Sequence, residues 1–139
     1  MDESPLEAVQ VSISNGPACV LVVDDEPMVL KMTVQMAEAL GHRVLAAKSG
    51  AEALAYANEP TEEISVALVD VFLPDMKGPD LAEELRRVLP DLRIVFMSGS
   101  VGGFYLESRV PGAIWLPKPF AKADLELRLT GSGRPEDAE

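Results

Sequence analysis

The sequence predicts an α/β domain of the (βα)5 kind, a three-layer sandwich with a five-stranded parallel sheet between helices. Five short runs rich in apolar and β-branched residues recur: ACVLVV at 18–23, RVLAA at 43–47, ISVALV at 64–69, LRIVFM at 92–97 and AIWL at 113–116. Three of them are apolar at nearly every position, which suits strands covered on both faces rather than strands with one wet face. Between the runs lie segments with helical periodicity, and strands joined through helices pair in parallel with right-handed crossovers. At 139 residues the chain has the length of one domain.

Each helical segment has recognisable ends. From Pro27 to Leu40, Met28, Met32, Met36 and Leu40 recur every fourth position, with Pro27 suited to the first turn and Gly41 to the stop; the methionines are expected in the core. Ser49 and Glu52 form an S-x-x-E capping box ahead of Leu54, and Pro60 closes that segment. Gly78-Pro79 opens a helix with Leu81, Leu85, Val88 and Leu89 on one face, stopped at Pro90. A further helix within 102–110 is expected to be short or distorted. Gly102 and Gly103 each cost about 1 kcal/mol relative to alanine there, and Pro111 truncates it. The segment 121–130, with Leu125 and Leu129, completes the alternation as a helix, although LELRL also alternates as a strand would. Residues 1–17 read as a flexible acidic leader, 18–130 as the domain and 131–139 as a flexible tail.

Composition excludes several functions. One cysteine forms no internal disulfide, and one cysteine with one histidine builds no four-ligand zinc site. Cys19 is expected as a small buried apolar residue and His42 as a surface residue past a helix end. The apolar runs fall far short of the roughly 20 residues of a membrane helix, and acids stand where a signal peptide carries bases, so a reducing, cytoplasmic setting is expected. The net charge of −11, of which −6 remains after both ends are removed, opposes general binding to nucleic acid or anionic membrane.

Ligands of open α/β sheets bind beyond the carboxyl ends of the strands. Asp24, Asp25 and Glu26 follow the first run, Asp70 the third, Ser98 and Gly99 the fourth, and Lys118-Pro119 the fifth. Any one of them could be a helix cap, a turn residue or a solvated charge. Together they place the carboxylates of Asp24, Asp25 and Asp70, a hydroxyl and an amine on one edge. Carboxylates so gathered repel unless a cation or Lys118 sits among them, and oxygen-only ligands suit Mg2+.

The segments VLVVDDEP, LVDVFLPDMKG, VFMSG and LPKPF, in that order across residues 18–130, resemble the receiver domain of bacterial two-component response regulators. The resemblance implies a flavodoxin-like fold with strand order 2-1-3-4-5. It also implies that Asp70 accepts a phosphoryl group from a sensor histidine kinase or a histidine phosphotransfer domain. Asp25, Asp70 and the backbone carbonyl of Phe72 would hold Mg2+, with Asp24 helping through water. Lys118 would pair with a phosphate oxygen, and Ser98 and the Gly99 amide would donate hydrogen bonds to it. The output switch would couple Ser98 to Trp115, whose alternative is a partly buried core residue, and the Lys118-Pro119 bond would be cis.

Departures from the family pattern carry expectations too. Residues 100–111 look shortened, which puts a standard dimer in doubt and leaves a monomer or weak dimer. Neither Phe72 nor Ser100 offers an acid or amide where family members tune acyl-phosphate hydrolysis, so a long-lived phosphoryl group is expected. No output domain is expected in the residues after 130, and either a stand-alone receiver or a receiver module of a hybrid histidine kinase is expected. The rival is a Mg2+-dependent phosphohydrolase with Asp70 as nucleophile. Enzymes of that kind resembling the haloacid dehalogenases carry a second Asp two residues on, where Phe72 stands. Nucleotide-binding glycine loops are missing after the first run, and a degenerate receiver would lack Asp25, Asp70 or Lys118.

Overall fold

The structure, a computed structural model, describes residues 19–59, 63–99 and 109–130. Its elements run β1 (Cys19–Val23), α1 (Pro27–Ala39), β2 (Arg43–Ala47), α2 (Gly50–Asn58), β3 (Ile64–Asp70), α3 (Gly78–Val88), β4 (Arg93–Ser98), β5 (Ile114–Pro117) and α4 (Lys122–Leu129). The five strands pair in parallel in the order β2-β1-β3-β4-β5, as expected. The expected extensions, 1–17 and 131–139, lie outside the described residues, as does the helix expected within 102–110 except for positions 109 and 110.

Alternation along the strands divides the core in two. Leu21, Val23, Val69 and Phe96 face Ala53 and Ala57 of α2 and Leu81, Ala82 and Leu85 of α3. Val20, Val22, Leu68 and Met97 face Ala37 of α1 and Leu125 and Leu129 of α4. β1 is buried at every position and β3 at all but one, which accounts for their unbroken apolar runs. β2 is an edge strand with Arg43 and Ala46 exposed. Among the described residues no helix is long and apolar enough to cross a membrane.

The methionine stripe of α1 corrects the expected core. Met28 is 73% and Met32 50% exposed, while the buried positions are Thr33 and Ala37, flanked by half-buried Leu30 and Val34. Four residues advance an α-helix by about 400°, so a four-spaced row drifts about 40° per step and winds from solvent toward the sheet. Met36 and Leu40, at its far end, do pack on the core. In α3, Leu81 and Leu85 are buried as expected, Ala82 joins them, and Val88 is 38% exposed. α4 is the helix rather than the strand alternative, with Leu125 and Leu129 inward and Leu127 outward. Cys19 is a buried free thiol. His42 is half-buried rather than fully on the surface, and burial lowers its pKa.

The cap at α2 departs slightly from the expected box. Ser49 Oγ accepts from the Glu52 amide at 3.2 Å, but the Glu52 carboxylate accepts from the amide of Lys48 rather than of Ser49. The carbonyls that end α4, of Arg128 and Leu129, accept from the Arg93 guanidinium. Arg128 in turn donates to the Trp115 carbonyl at 3.2 Å. These bonds tie the last helix to β4 and β5.

Candidate phosphoacceptor site

The carboxyl ends of β1, β3, β4 and β5 converge on a small polar pocket. Asp24 follows β1 directly and is fully buried, Asp70 is the last residue of β3, and Ser98 is the last of β4. Asp25 stands exposed beside them. One oxygen from each of Asp24, Asp25 and Asp70 lies within 4.8 Å of the other two. These three acids thus form one cluster, and their hard oxygen donors fit a small divalent cation.

Lys118 reaches this cluster from the β5–α4 connection. Its Nζ lies 2.9 Å from Asp24 Oδ2 and 3.3 Å from Asp70 Oδ2. The lysine is delivered by backbone: its amide donates to the Ser98 carbonyl at 2.8 Å, and the Lys118-Pro119 bond is cis, as expected. Asp24 Oδ1 accepts from the Glu26 amide at 3.0 Å, which fixes the carboxylate at the entrance to α1. Asp70 Oδ1 accepts from the Phe72 amide at 3.2 Å, so each oxygen of Asp70 has a donor.

The charges respond to this packing. Burial pushes the Asp70 carboxyl above its ordinary value, and the neighbouring Asp24 charge adds to that, while the Phe72 amide and the Lys118 ammonium pull the other way. Burial opposes the Lys118 charge, but its bonds to Asp24 and Asp70 outweigh that and raise its pKa.

The segment after Asp70 is a tight turn back on itself. The Gly78 amide donates to the Val71 carbonyl at 2.6 Å, and Phe72 bridges Lys77 in antiparallel fashion. A Cβ on Gly78 would lie 2.6 Å from the Asp70 carbonyl oxygen, so only glycine lets α3 start against the end of β3. Phe72 itself is 62% exposed at the rim.

Ser98 and Trp115 share a face of the sheet. Phe96 is in register with Trp115, and Ser98, two residues on, projects to the same side. Trp115 is half-buried, and its indole N–H is buried without a hydrogen-bond partner among the described residues. Among the described residues, nothing lies within 4 Å of where a Cβ on Gly99 would stand. Ser100 lies outside the described residues.

Two features escaped sequence reasoning. Asp75, in the turn after Asp70, binds the first amides of α2; nothing local in the sequence marks a partner 25 residues away. Beside Lys118, an apolar cavity of about 310 Å3 opens between Val29, Met32 and Met36 of α1 and Pro119 and Phe120.

Comparison with known proteins agrees with this geometry. The model of the response regulator receiver domain matches residues 20–130. The chain is 34% identical over 131 residues to the sensor kinase CckA of Brucella abortus, covering 89% of this chain and 14% of that kinase. It spans half or less of the length of the transcriptional regulators it matches. The crystal structure of the receiver domain from the hybrid histidine kinase CckA superposes with a TM-score of 0.71 at 31% identity, over 84% of this chain and 99% of that one. Vibrio cholerae chemotaxis protein CheY4 superposes at 0.76 and 27% identity, over 84% of this chain and 98% of that one. The fold, the acidic cluster at the strand ends and the match across 20–130 agree, and the chain belongs to the response regulator receiver domain family of two-component signalling.

Proposed function

We propose that Asp70 accepts a phosphoryl group from a phosphohistidine donor, a sensor histidine kinase or a histidine phosphotransfer domain, in a Mg2+-dependent reaction. The observation that carries the reading is Lys118 Nζ held between Asp24 and Asp70 at the mouth of a three-carboxylate cluster. Asp25, Asp70 and the Phe72 carbonyl would hold Mg2+, with Asp24 acting through water. The cation would offset the charge gathered on the phosphoryl oxygens.

The chain's own groups supply the rest. A carboxylate oxygen of Asp70 bonds to phosphorus as the bond from phosphorus to the donor imidazole nitrogen breaks, and the imidazole leaves. Lys118 pairs with a phosphoryl oxygen, and the Ser98 hydroxyl and Gly99 amide donate to another. Asp24, anchored by the Glu26 amide, holds Lys118 in place before the phosphoryl group arrives. The product is an acyl phosphate.

Output runs through Ser98 and Trp115, which are diagonal neighbours on one sheet face. A shift of the Ser98 hydroxyl toward the phosphoryl group opens room into which the Trp115 ring turns. The 31% identity to the receiver of a hybrid kinase supports a phosphorelay partner. The chain acts as a phosphoacceptor and catalyses only its own phosphorylation and dephosphorylation.

The test is incubation with Mg2+ and acetyl phosphate. The wild-type chain is expected to gain an acid-stable, hydroxylamine-labile adduct of roughly 80 Da, as for phosphoryl transfer to a carboxylate nucleophile that leaves an acyl phosphate, and Asp70→Asn is expected to gain none. A wild-type chain without the adduct would overturn the reading.

A further inference from the structure

The first turn of an α-helix carries amides with no partner inside the helix. At α2, Ser49 Oγ takes the Glu52 amide, which leaves those of Gly50 and Ala51. Both are taken by one residue from another part of the chain: Asp75 Oδ1 accepts from Gly50 at 2.9 Å and Oδ2 from Ala51 at 3.0 Å. The helix start and the turn 71–77 are in close contact there, since a Cβ on Gly50 would stand 2.3 Å from Met76 Sδ. The two amides hold the Asp75 carboxyl below its ordinary pKa, so it stays ionised and its bonds are charge-assisted.

The turn that Asp75 anchors is the one that carries Phe72. It is closed at its base by Gly78 on Val71 and by the Phe72–Lys77 bridge, so it moves as a unit. The Phe72 amide binds Asp70 Oδ1 at 3.2 Å, and the Phe72 carbonyl is assigned to the cation above.

We infer that Asp75 is a positioning residue for the phosphoacceptor site: by clamping the 71–77 turn to the start of α2, its carboxylate sets where Phe72 presents its amide and carbonyl to Asp70 and the cation. The inference rests on the metal-binding part of the proposed function. It also assigns a role to an exposed acid that touches neither Asp70 nor Lys118.

The experiment compares the full chain with Asp75→Ala and Asp75→Asn. Amide exchange is read by NMR without metal, and Mg2+ affinity by titration. Asp75→Ala is expected to speed exchange at Gly50 and Ala51, to speed it also at Phe72, and to weaken Mg2+ binding roughly tenfold, as for residues that orient metal ligands. Asparagine keeps one acceptor oxygen and is expected to recover part of both effects, and it serves if the alanine variant does not fold. Faster exchange at Gly50 and Ala51 with Phe72 and Mg2+ affinity unchanged would reduce Asp75 to a helix cap and overturn the inference, as would unchanged exchange at all three amides. A wild-type chain that binds no Mg2+ would sink the metal reading instead, and the Phe72 exchange would still decide the clamp.

Discussion

Lys118 Nζ lies 2.9 Å from Asp24 Oδ2, a contact between residues 94 apart in sequence, with the carboxylate fully buried and the lysine one-fifth exposed. The pair closes the circuit from the first strand to the last. Among the described residues Lys118 is the cation paired with that oxygen.

Lys118→Met should therefore destabilise the metal-free protein by about 3 kcal/mol, the lower end for leaving a buried charge without its partner. Denaturant titration checks this. Mg2+ should restore more stability to the variant than to wild type, because a cation replaces the lost countercharge.

The pH dependence follows from Asp70. Its carboxyl is raised above the ordinary 3.8 chiefly by burial, so the folded chain holds that proton more tightly than the unfolded one. The resulting stabilisation is fully present below about 3.8 and is lost as pH rises through the higher folded value. Asp70→Asn, neutral throughout, should melt above wild type at pH 7 without Mg2+, with the gap closing as the pH falls through the folded value toward 3.8 and no further change below it. Lys118 acts at the other end. Its raised pKa contributes stability that is present below 10.5 and is lost as pH rises through the folded value. Thermal melts across both ranges, in chelator, read the two windows.

The methionines should divide sharply in their contribution to stability. Met28→Ala should change it by no more than about 0.5 kcal/mol, as for an exposed site, since Met28 is 73% exposed. Met97→Ala, in a fully buried position of β4, should cost about 2–5 kcal/mol. Chemical denaturation of the two variants decides whether the α1 stripe is surface or core.

The phosphoryl group should be long-lived, minutes or more, because Phe72 at the rim offers water no acid or amide. Phe72→Asn, which keeps the backbone carbonyl, should shorten the lifetime by placing an amide there. The decay of the 32P-labelled chain after donor removal measures both, and a wild-type half-life of seconds would refute the expectation.

Much of this was legible because strands buried on both faces leave unbroken apolar runs, and because a parallel sheet forces all its carboxyl ends to one edge. Asp24, Asp70, Ser98 and Lys118 could be gathered from their places after the runs alone. What could not be read depended on contacts across the chain. The four-spaced methionines suggested a buried face, but helical drift turned Met28 and Met32 outward, and the small residues Thr33 and Ala37 took the contact with the sheet. Glu52 fitted a capping box, yet its carboxylate went one residue further back, to Lys48. Nothing in the sequence sets Asp75 apart, and only folding places it against α2.

The two edge strands bear on how any partner can attach. β2 begins with Arg43, which is exposed, and β5 has only four residues and ends in Pro117, which has no N–H to offer. A charge and a proline are the features that discourage an incoming chain from extending a sheet. Recognition by added strand is thus disfavoured at both margins, so signalling contacts should form through helix faces and the loops around the carboxylates, and concentrated protein should resist edge-to-edge stacking.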